Sequence, residues 1–363
     1  MQKILISGAG PAGLSLALLL DPAKFDVEIV ERSKSFNTVG FSIILWKAGF
    51  DVLTEIAAES DLEKISDINS MSLFGGHDFK KLYSSDTTGL GHSVDREQLM
   101  KILSTRYLDK FGTKNIRFET SVKDITDNGG IADVEFNDGS TQSYDLVVAA
   151  DGMHSDIRRK FFSAQVKSGP YRIVYQWLKP GSGLKEESII GFIKEVVYLI
   201  QTSGNRALLA YYTQNDHDTE EAFLHELKQM ISREYGGELE LDEESRQIFA
   251  AEEVHADMHY DGPVALVGDA LHGHPPTLAM GTSMALEDSA ELAKQLDEHD
   301  DLQDALKAFA KVRLDRMDHV YRAQGIVENM FITDSDMKVA LSQGVVRYGG
   351  SIMLEHYIKN IVS

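Results

Sequence analysis

The segment from Lys3 to Gly13 constrains the fold more than any other stretch of this chain. Lys3-Ile4-Leu5-Ile6-Ser7 is a short apolar run of strand character, and Gly8-Ala9-Gly10-Pro11-Ala12-Gly13 follows at once. Leu14 to Leu20 is then apolar and helix-favouring, and Val27-Glu28-Ile29-Val30 reads as a second strand that ends on Glu31. A G-x-G-x-x-G turn placed between strand and helix is suited to a dinucleotide. Gly8 permits the tight turn, Gly10 lets the backbone approach a pyrophosphate, and Gly13 allows close packing of helix on strand. The free N–H groups of the helix start face the phosphates, and Glu31, at the tip of the second strand, can accept hydrogen bonds from a ribose. The alternative is an ordinary tight strand-to-helix turn. The order strand, motif, helix, strand, acid favours the dinucleotide.

Bulk properties exclude several classes of partner. The 36 basic and 57 acidic side chains leave a net charge of −21, which disfavours nucleic acid and anionic membrane surfaces, since both would be repelled. With no cysteine, the chain has no disulfide, no thiolate metal site and no cysteine nucleophile. No run reaches the 18 or so apolar residues of a transmembrane helix. The glycine motif interrupts the N-terminal apolar stretch, so no cleaved signal is expected, and the expected compartment is the cytoplasm.

Along the chain, residues 1 to about 160 read as a nucleotide-binding unit. Trp46 to Leu62 has helical spacing; Met71 to Phe74 and Phe79 to Tyr83 flank a glycine turn at Gly75-Gly76 and suggest a hairpin. Asp95 to Phe111 reads as an amphipathic helix with Asp95 as N-cap. Strands are expected at Ile116–Glu119, Val122–Thr126, Ile131–Phe136 and Thr141–Tyr144, and Asp145–Ala150 has the continuous apolar character of a buried parallel strand. Four strand-like stretches follow at Tyr171–Leu178, Ser188–Ile193, Val196–Gln201 and Ala207–Tyr212, with one helix near Thr219–Tyr235. This run of antiparallel strands predicts a sheet inserted into the first domain. A buried strand returns at Val264 to Asp269, and helices are expected at Thr282–Glu298 and Asp301–Asn329. The tail from Asp334 to Ser363 gives no clear signal beyond a break at Gly349-Gly350.

Two further motifs lie at strand ends. One is Asp145-Leu146-Val147-Val148-Ala149-Ala150-Asp151-Gly152-Met153-His154-Ser155-Asp156-Ile157-Arg158; the other is Gly268-Asp269-Ala270-Leu271-His272 with Pro275-Pro276 and Gly281. With the opening glycines, these resemble the three-motif signature of the FAD-dependent aromatic-hydroxylase family, the single-component flavoprotein monooxygenases that include para-hydroxybenzoate hydroxylase and the tetracycline-inactivating enzymes. The resemblance implies an α/β fold: a Rossmann-like FAD-binding domain, an inserted antiparallel β-sheet substrate domain, and C-terminal helices. The expected division is 1–164 and 263–363 for FAD and the closing helices, and 165–262 for the substrate sheet.

The resemblance also assigns residues. Gly8, Gly10 and Gly13, with Pro11 and Ala12 between them, would hold the FAD pyrophosphate, and Glu31 the adenosine ribose. Arg32 resembles the basic residue near the adenine and diphosphate, and Arg96 the arginine at a helix start that contacts the cofactor. Asp151 and Gly152 resemble an Asp-Gly pair linked to FAD and nicotinamide binding, and Asp269 the aspartate that accepts from the ribitol. Pro276, Gly281 and Thr282 belong to the loop and helix start beside the flavin ring, where a helix N-terminus stabilises negative charge. Read from the residues alone, Asp151 and Ser155 could be a strand-end turn and helix cap, Asp269 a helix cap and Arg96 a solvated side chain. His272 and His274 lack helical spacing and a completing acid, so no metal site is expected, and His272 reads as structural.

The chemistry implied is reduction of FAD by NAD(P)H, capture of O2 as a flavin C4a-hydroperoxide, and hydroxylation of an aromatic or polycyclic, polyketide-like substrate. No catalytic side chain is assigned. Tyr198, Tyr211, Tyr212, Gln176 and Arg206 lie on the expected substrate strands, and alternation turns only some of them inward. Where many relatives have glycine and glutamine, this chain has Ala279 and Met280, so flavin-edge contacts are expected to differ. Two other readings stay open, since fold does not fix chemistry: a non-oxygenating FAD-dependent reductase or dehydrogenase, and a flavin-binding sensor without turnover.

Overall fold

The computed structural model describes residues 1–331 except 39, 76–79, 163, 165, 185–186, 194–195, 204–205 and 214–216, together with 337–349 except 339, 343 and 347. Gly76 and Phe79 of the expected hairpin, and Gly350 with most of the 334–363 tail, lie outside the described residues.

A six-stranded sheet runs in the order Tyr260–Asp261, Val264–Leu266, Leu146–Ala149, Gln2–Ser7, Phe25–Val30, Ile116–Arg117. Its neighbours are parallel except for the antiparallel pair at the Tyr260 edge. Leu146, Val147, Val148 and Ala149 are all fully buried, as a strand covered on both faces requires. The helix Pro11–Leu19 follows the first strand, with Pro11 at a first-turn position where a missing N–H costs nothing. It packs against the later helix Gly281–Glu298, and Ser289 Oγ donates to the carbonyl of Ala12 at 2.8 Å. Sequence-distant halves therefore share one core.

The second large sheet has seven strands, ordered Gln247–Glu253, Lys167–Leu178, Arg206–Thr213, Val196–Ser203, Glu187–Ile193, Ser70–Gly75, Lys80–Asp86. The inserted antiparallel strands expected from sequence are present, and two strands from residues 70–86 extend the sheet through a parallel pairing of Ser70–Gly75 with Glu187–Ile193. One face packs on the helix His217–Tyr235, where Tyr198, Ile200 and Tyr211 meet Phe223, Leu227 and Ile231. The alternate residues, among them Ile173, Val197 and Tyr212, face the other way, as the two-residue period dictates.

Local departures have clear causes. The helix expected over Trp46–Leu62 is present as two helices, Lys47–Ile56 and Glu59–Leu62, and its first residue, Trp46, instead ends a strand, Ser42–Trp46. Ser42–Trp46 pairs with Gly91–Asp95, and the Trp46 backbone N–H and indole N–H donate to Ser283 Oγ at 2.9 Å and the Leu278 carbonyl at 3.1 Å. Asp95 occupies the N-cap position of the helix Arg96–Phe111 but makes no side-chain cap bond; it accepts from Ser203 Oγ at 2.9 Å instead. The strand Gln247–Glu253 carries exposed Ile248 and Phe249 at the sheet edge, so no alternation marks it in the sequence. Among the described residues no helix is long and apolar enough to cross a membrane.

Candidate active site

A cavity of about 660 Å³ opens at the carboxyl ends of the parallel strands, touching Ser7, Val30 and Ala150, and extends to the inner face of the seven-stranded sheet. Strand ends of an open α/β sheet are where ligands bind. Of the expected cofactor residues, Gly8, Gly10, Pro11, Ala12, Glu31, Arg32, Arg96, Asp151, Asp269, Pro276, Gly281 and Thr282 line it. Gly13 does not; it is a packing residue, since a Cβ there would stand 2.0 Å from the Gly8 carbonyl oxygen. Gly8 has φ +112° and an added Cβ would meet the Ala150 oxygen at 2.4 Å. Gly10 differs from both: a Cβ would meet no protein atom within 4 Å. Its missing side chain leaves room for something other than protein.

Polar groups around this cradle suit FAD. Glu31 accepts from the backbone N–H of Ala9 at 2.9 Å and of Ser33 at 2.8 Å, one on each oxygen. Each carboxylate oxygen retains acceptor capacity for a ribose hydroxyl. Arg96 passes beside Gly40, where a Cβ would meet its Cδ at 2.2 Å. Burial lowers its pKa, with the Asp269 charge opposing. Asp151 has one carboxylate oxygen, Oδ1, buried without a hydrogen-bond partner, and the other accepts from Asp156 N–H at 3.2 Å. Burial holds its pKa above the ordinary value. Ser155 does cap the helix Asp156–Phe161, accepting from Arg158 N–H at 3.0 Å; the cap and a cavity-facing Asp151 coexist. Asp269 is exposed toward the cavity, and its carboxylate lies 3.8 Å from where a Cβ of Gly281 would be. The helix Gly281–Glu298 begins there, with its positive end at the cavity wall.

In the loop before that helix, Met280 is fully buried in the main core and its neighbour Ala279 is the one that lines the cavity. Ala279 carries the anomaly, with a left-handed φ of +52°. That conformation costs a residue with a Cβ roughly 1–2 kcal/mol, against the roughly 0.5–1 kcal/mol of backbone entropy that glycine loses. Ala279→Gly should therefore raise stability by about 0.5 kcal/mol, read as an increased urea midpoint at unchanged slope.

The far end of the cavity is apolar and aromatic, formed by Leu73, Ile173, Tyr175, Phe192, Leu208 and Tyr212 among others. Of the five candidate substrate-sheet residues, Tyr212 lies on the face that lines it; Tyr198 borders it too, but its ring packs on Phe223 on the helix side. Tyr198 covers Gly191, where a Cβ would meet its ring at 2.1–2.2 Å. Tyr211 instead donates to Glu220 at 2.5 Å on the helix side, Gln176 to the Asp242 carbonyl at 3.2 Å, and Arg206 stacks on Trp177 at 3.7 Å. Gln201 carries no signal in the sequence; its Nε2 donates to Ser42 Oγ at 2.9 Å and to Ser93 Oγ at 2.8 Å. It ties the sheet to the nucleotide half at the cavity wall.

Behind Asp269 lies a buried ionic cluster that the sequence concealed. His272 Nε2 is 2.6 Å from Asp288 Oδ2, Gly268 N–H donates to the same oxygen at 2.7 Å, and Arg313 Nε donates to Oδ1 at 2.6 Å. Burial opposes charge on each partner, yet mutual attraction and hydrogen bonding prevail: Asp288 titrates well below an ordinary carboxyl and His272 above an ordinary imidazole. His272 is thus structural, as expected. Among the described residues no cluster could hold a metal. His259 nearby has both ring nitrogens buried without hydrogen-bond partners, and burial pushes its pKa from 6.5 down to about 4. The unfolded imidazole takes its proton near 6.5 and the folded one resists until about 4, so the stability present above pH 6.5 is lost as pH falls. The His259 share is about 3 kcal/mol over that interval. His259→Leu should flatten it, as urea melts at pH 7 and pH 5 would reveal.

This cradle and fold define a dinucleotide-binding flavoprotein class. The FAD binding domain family model matches residues 1–322. The chain belongs to the FAD-dependent aromatic-hydroxylase family and is an FAD-dependent monooxygenase of that family. It is 29% identical to a 3-hydroxy-4-methyl-anthranilyl-[aryl-carrier protein] 5-monooxygenase of Streptosporangium sibiricum, over 97% of this chain and 95% of that one. It is 25% identical to the FAD-dependent urate hydroxylase of Klebsiella pneumoniae, over 87% of each chain. Among solved structures, Klebsiella pneumoniae HpxO complexed with FAD and uric acid aligns with a TM-score of 0.82 at 21% identity, covering 99% of this chain and 96% of that one. Pseudomonas aeruginosa PqsL in complex with 2-aminobenzoylacetate aligns at 0.80 and 19% identity, covering 94% and 99%.

Proposed function

We propose that this protein uses NAD(P)H and O2 to hydroxylate an aromatic or polyketide-like small molecule. The observation that carries the reading is one continuous cavity joining the glycine cradle to an aromatic chamber, with the start of the helix Gly281–Glu298 between them. Relatives that act on urate or bind 2-aminobenzoylacetate support an aromatic substrate. Gly8, Gly10, Pro11 and Ala12 would hold the pyrophosphate, Glu31 the ribose, Arg32 and Arg96 the diphosphate charge, and Asp151 and Asp269 the hydroxyls beyond it. Pro276, Gly281 and Thr282 would border the flavin ring. Bound FAD would supply the redox chemistry, accepting hydride from NAD(P)H and reacting with O2 at its C4a carbon. The chain's part is to bind, to orient, and to exclude water from the apolar chamber, while the helix start favours negative charge beside it. The sensor reading rests on the Met280 departure alone, and no other observation favours it.

The test follows the visible spectrum of the purified protein without oxygen, adding NADPH or NADH with a panel of phenolic and polyketide-like compounds. Flavin that bleaches faster with one compound, followed by hydroxylated product when oxygen is admitted, is the expected result. A protein that cannot take up FAD sinks the cofactor roles. Bound flavin that neither nicotinamide reduces shifts the reading to a reductase with another donor or to a sensor.

A further inference from the structure

A directed hydrogen-bond chain runs out of the aromatic chamber. Thr277 Oγ1 donates to Glu328 Oε1 at 3.1 Å, and Gln324 Nε2 donates to the same carboxylate oxygen at 2.8 Å. The Tyr212 hydroxyl and Thr277 Oγ1 are 3.0 Å apart. A carboxylate only accepts, and a threonine hydroxyl has one proton. Thr277 spends that proton on Glu328, so Tyr212 must donate its own to Thr277. Burial, the largest effect, holds the Tyr212 phenol well above its ordinary pKa, so the proton stays on the chain. Tyr212 and Thr277 both line the cavity, and Glu328 does not. A ligand at Tyr212 therefore meets an oxygen that has lone pairs to offer and no proton.

We propose that Tyr212 is an obligate acceptor toward the substrate, its polarity fixed remotely by Glu328 through Thr277, and that it selects aromatic compounds presenting a ring O–H or N–H at that point. An ether, carbonyl or carboxylate in the same place sets oxygen lone pairs against oxygen lone pairs and leaves a buried acceptor unpaired. Sites built around a hydrogen bond reject analogues that lack it more strongly than apolar pockets reject a change of size. Tyr212 is the contact residue; Thr277 and Glu328 are positioning residues. The inference rests on the monooxygenase reading for what the chamber holds.

The test uses FAD-loaded protein at neutral pH and three probes with one ring system: 2-naphthol, 2-methoxynaphthalene and 2-naphthoate. Binding is read from perturbation of the flavin spectrum and by calorimetry. Wild-type protein should bind 2-naphthol at least about tenfold tighter than either analogue, the equivalent of one good hydrogen bond. Thr277→Val keeps the shape and frees the Tyr212 proton, so 2-methoxynaphthalene and 2-naphthoate should gain on 2-naphthol by a similar factor. Glu328→Gln, which can donate as well as accept, should narrow the preference without changing FAD content. Equal binding of the three probes, no binding of 2-naphthol, or a ranking that Thr277→Val leaves intact overturns the proposal. Failure of the monooxygenase reading would look different, because flavin uptake or its reduction by NAD(P)H would fail whatever the probe ranking.

Discussion

Gly10→Ala should give a protein that folds like the wild type and has lost most of its affinity for FAD. Gly10 has φ −80° and ψ −174°, a conformation alanine adopts freely, and the added methyl would meet no protein atom. The fold loses only the difference between glycine and alanine at a helix N-cap, less than about 1 kcal/mol. The methyl would occupy the space that brings a pyrophosphate against backbone N–H groups. A loss of roughly 100-fold, about 3 kcal/mol, is expected. Flavin titration followed by fluorescence, beside urea melts of the apoprotein, separates the two effects. Gly13→Ala makes the contrast: its Cβ would overlap the Gly8 carbonyl and crowd Ile6, prying helix from strand, so stability falls first by about 1–3 kcal/mol. If Gly10→Ala bound FAD normally, the cradle would not be where the pyrophosphate sits.

Asp288→Ala should cost about 3–5 kcal/mol of stability, the usual result of removing one member of a buried ionic group. The loss would strand Arg313, His272 and the Gly268 N–H together. Gly268 has φ +59° and precedes Asp269, so the turn that presents Asp269 to the cavity would loosen, and FAD affinity should fall as well. The pH dependence has two edges. Asp288, held low, gives stability that is present above the ordinary carboxyl pKa and lost as pH falls through its folded value. His272, held high, gives stability that is full below the ordinary imidazole pKa and lost as pH rises through its folded value. Urea midpoints across pH should show both edges in the wild type and neither in Asp288→Ala. A variant within about 1 kcal/mol of the wild type at neutral pH would mean the cluster is dispensable.

What the sequence revealed depended on whether the signal was local. The first βαβ unit was legible because motif, apolar runs and acid are contiguous, and twelve of the thirteen expected cofactor residues do line one cavity. The strand Ser42–Trp46 carries no local signal, and its last residue, Trp46, falls in with the helical spacing that follows, because its partner, Gly91–Asp95, lies far along the chain. The strands Ser70–Gly75 and Lys80–Asp86 were visible as a hairpin, but nothing local assigns a hairpin to a sheet built mostly from residues 167–253. The burial of Met280 is not legible because a loop sequence does not say which side chain turns inward. Asp288, Arg313 and Glu328 sit on long helices where charge is unremarkable, and only tertiary packing gives them His272, Gly268 and Thr277 as partners.

The parallel pairings have a consequence for how the protein is made. Gln2–Ser7 pairs with Leu146–Ala149, which pairs with Val264–Leu266, and the strand Ser70–Gly75 waits for Glu187–Ile193. Loops this long must close before the pairings reward them, which slows folding. A nascent chain carries its glycine turn from the first moments of synthesis, yet the wall bearing Asp269 and Gly281 arrives only after some 260 further residues. FAD capture is therefore a late event, and chains interrupted before Val264 display an unpaired strand edge that invites aggregation.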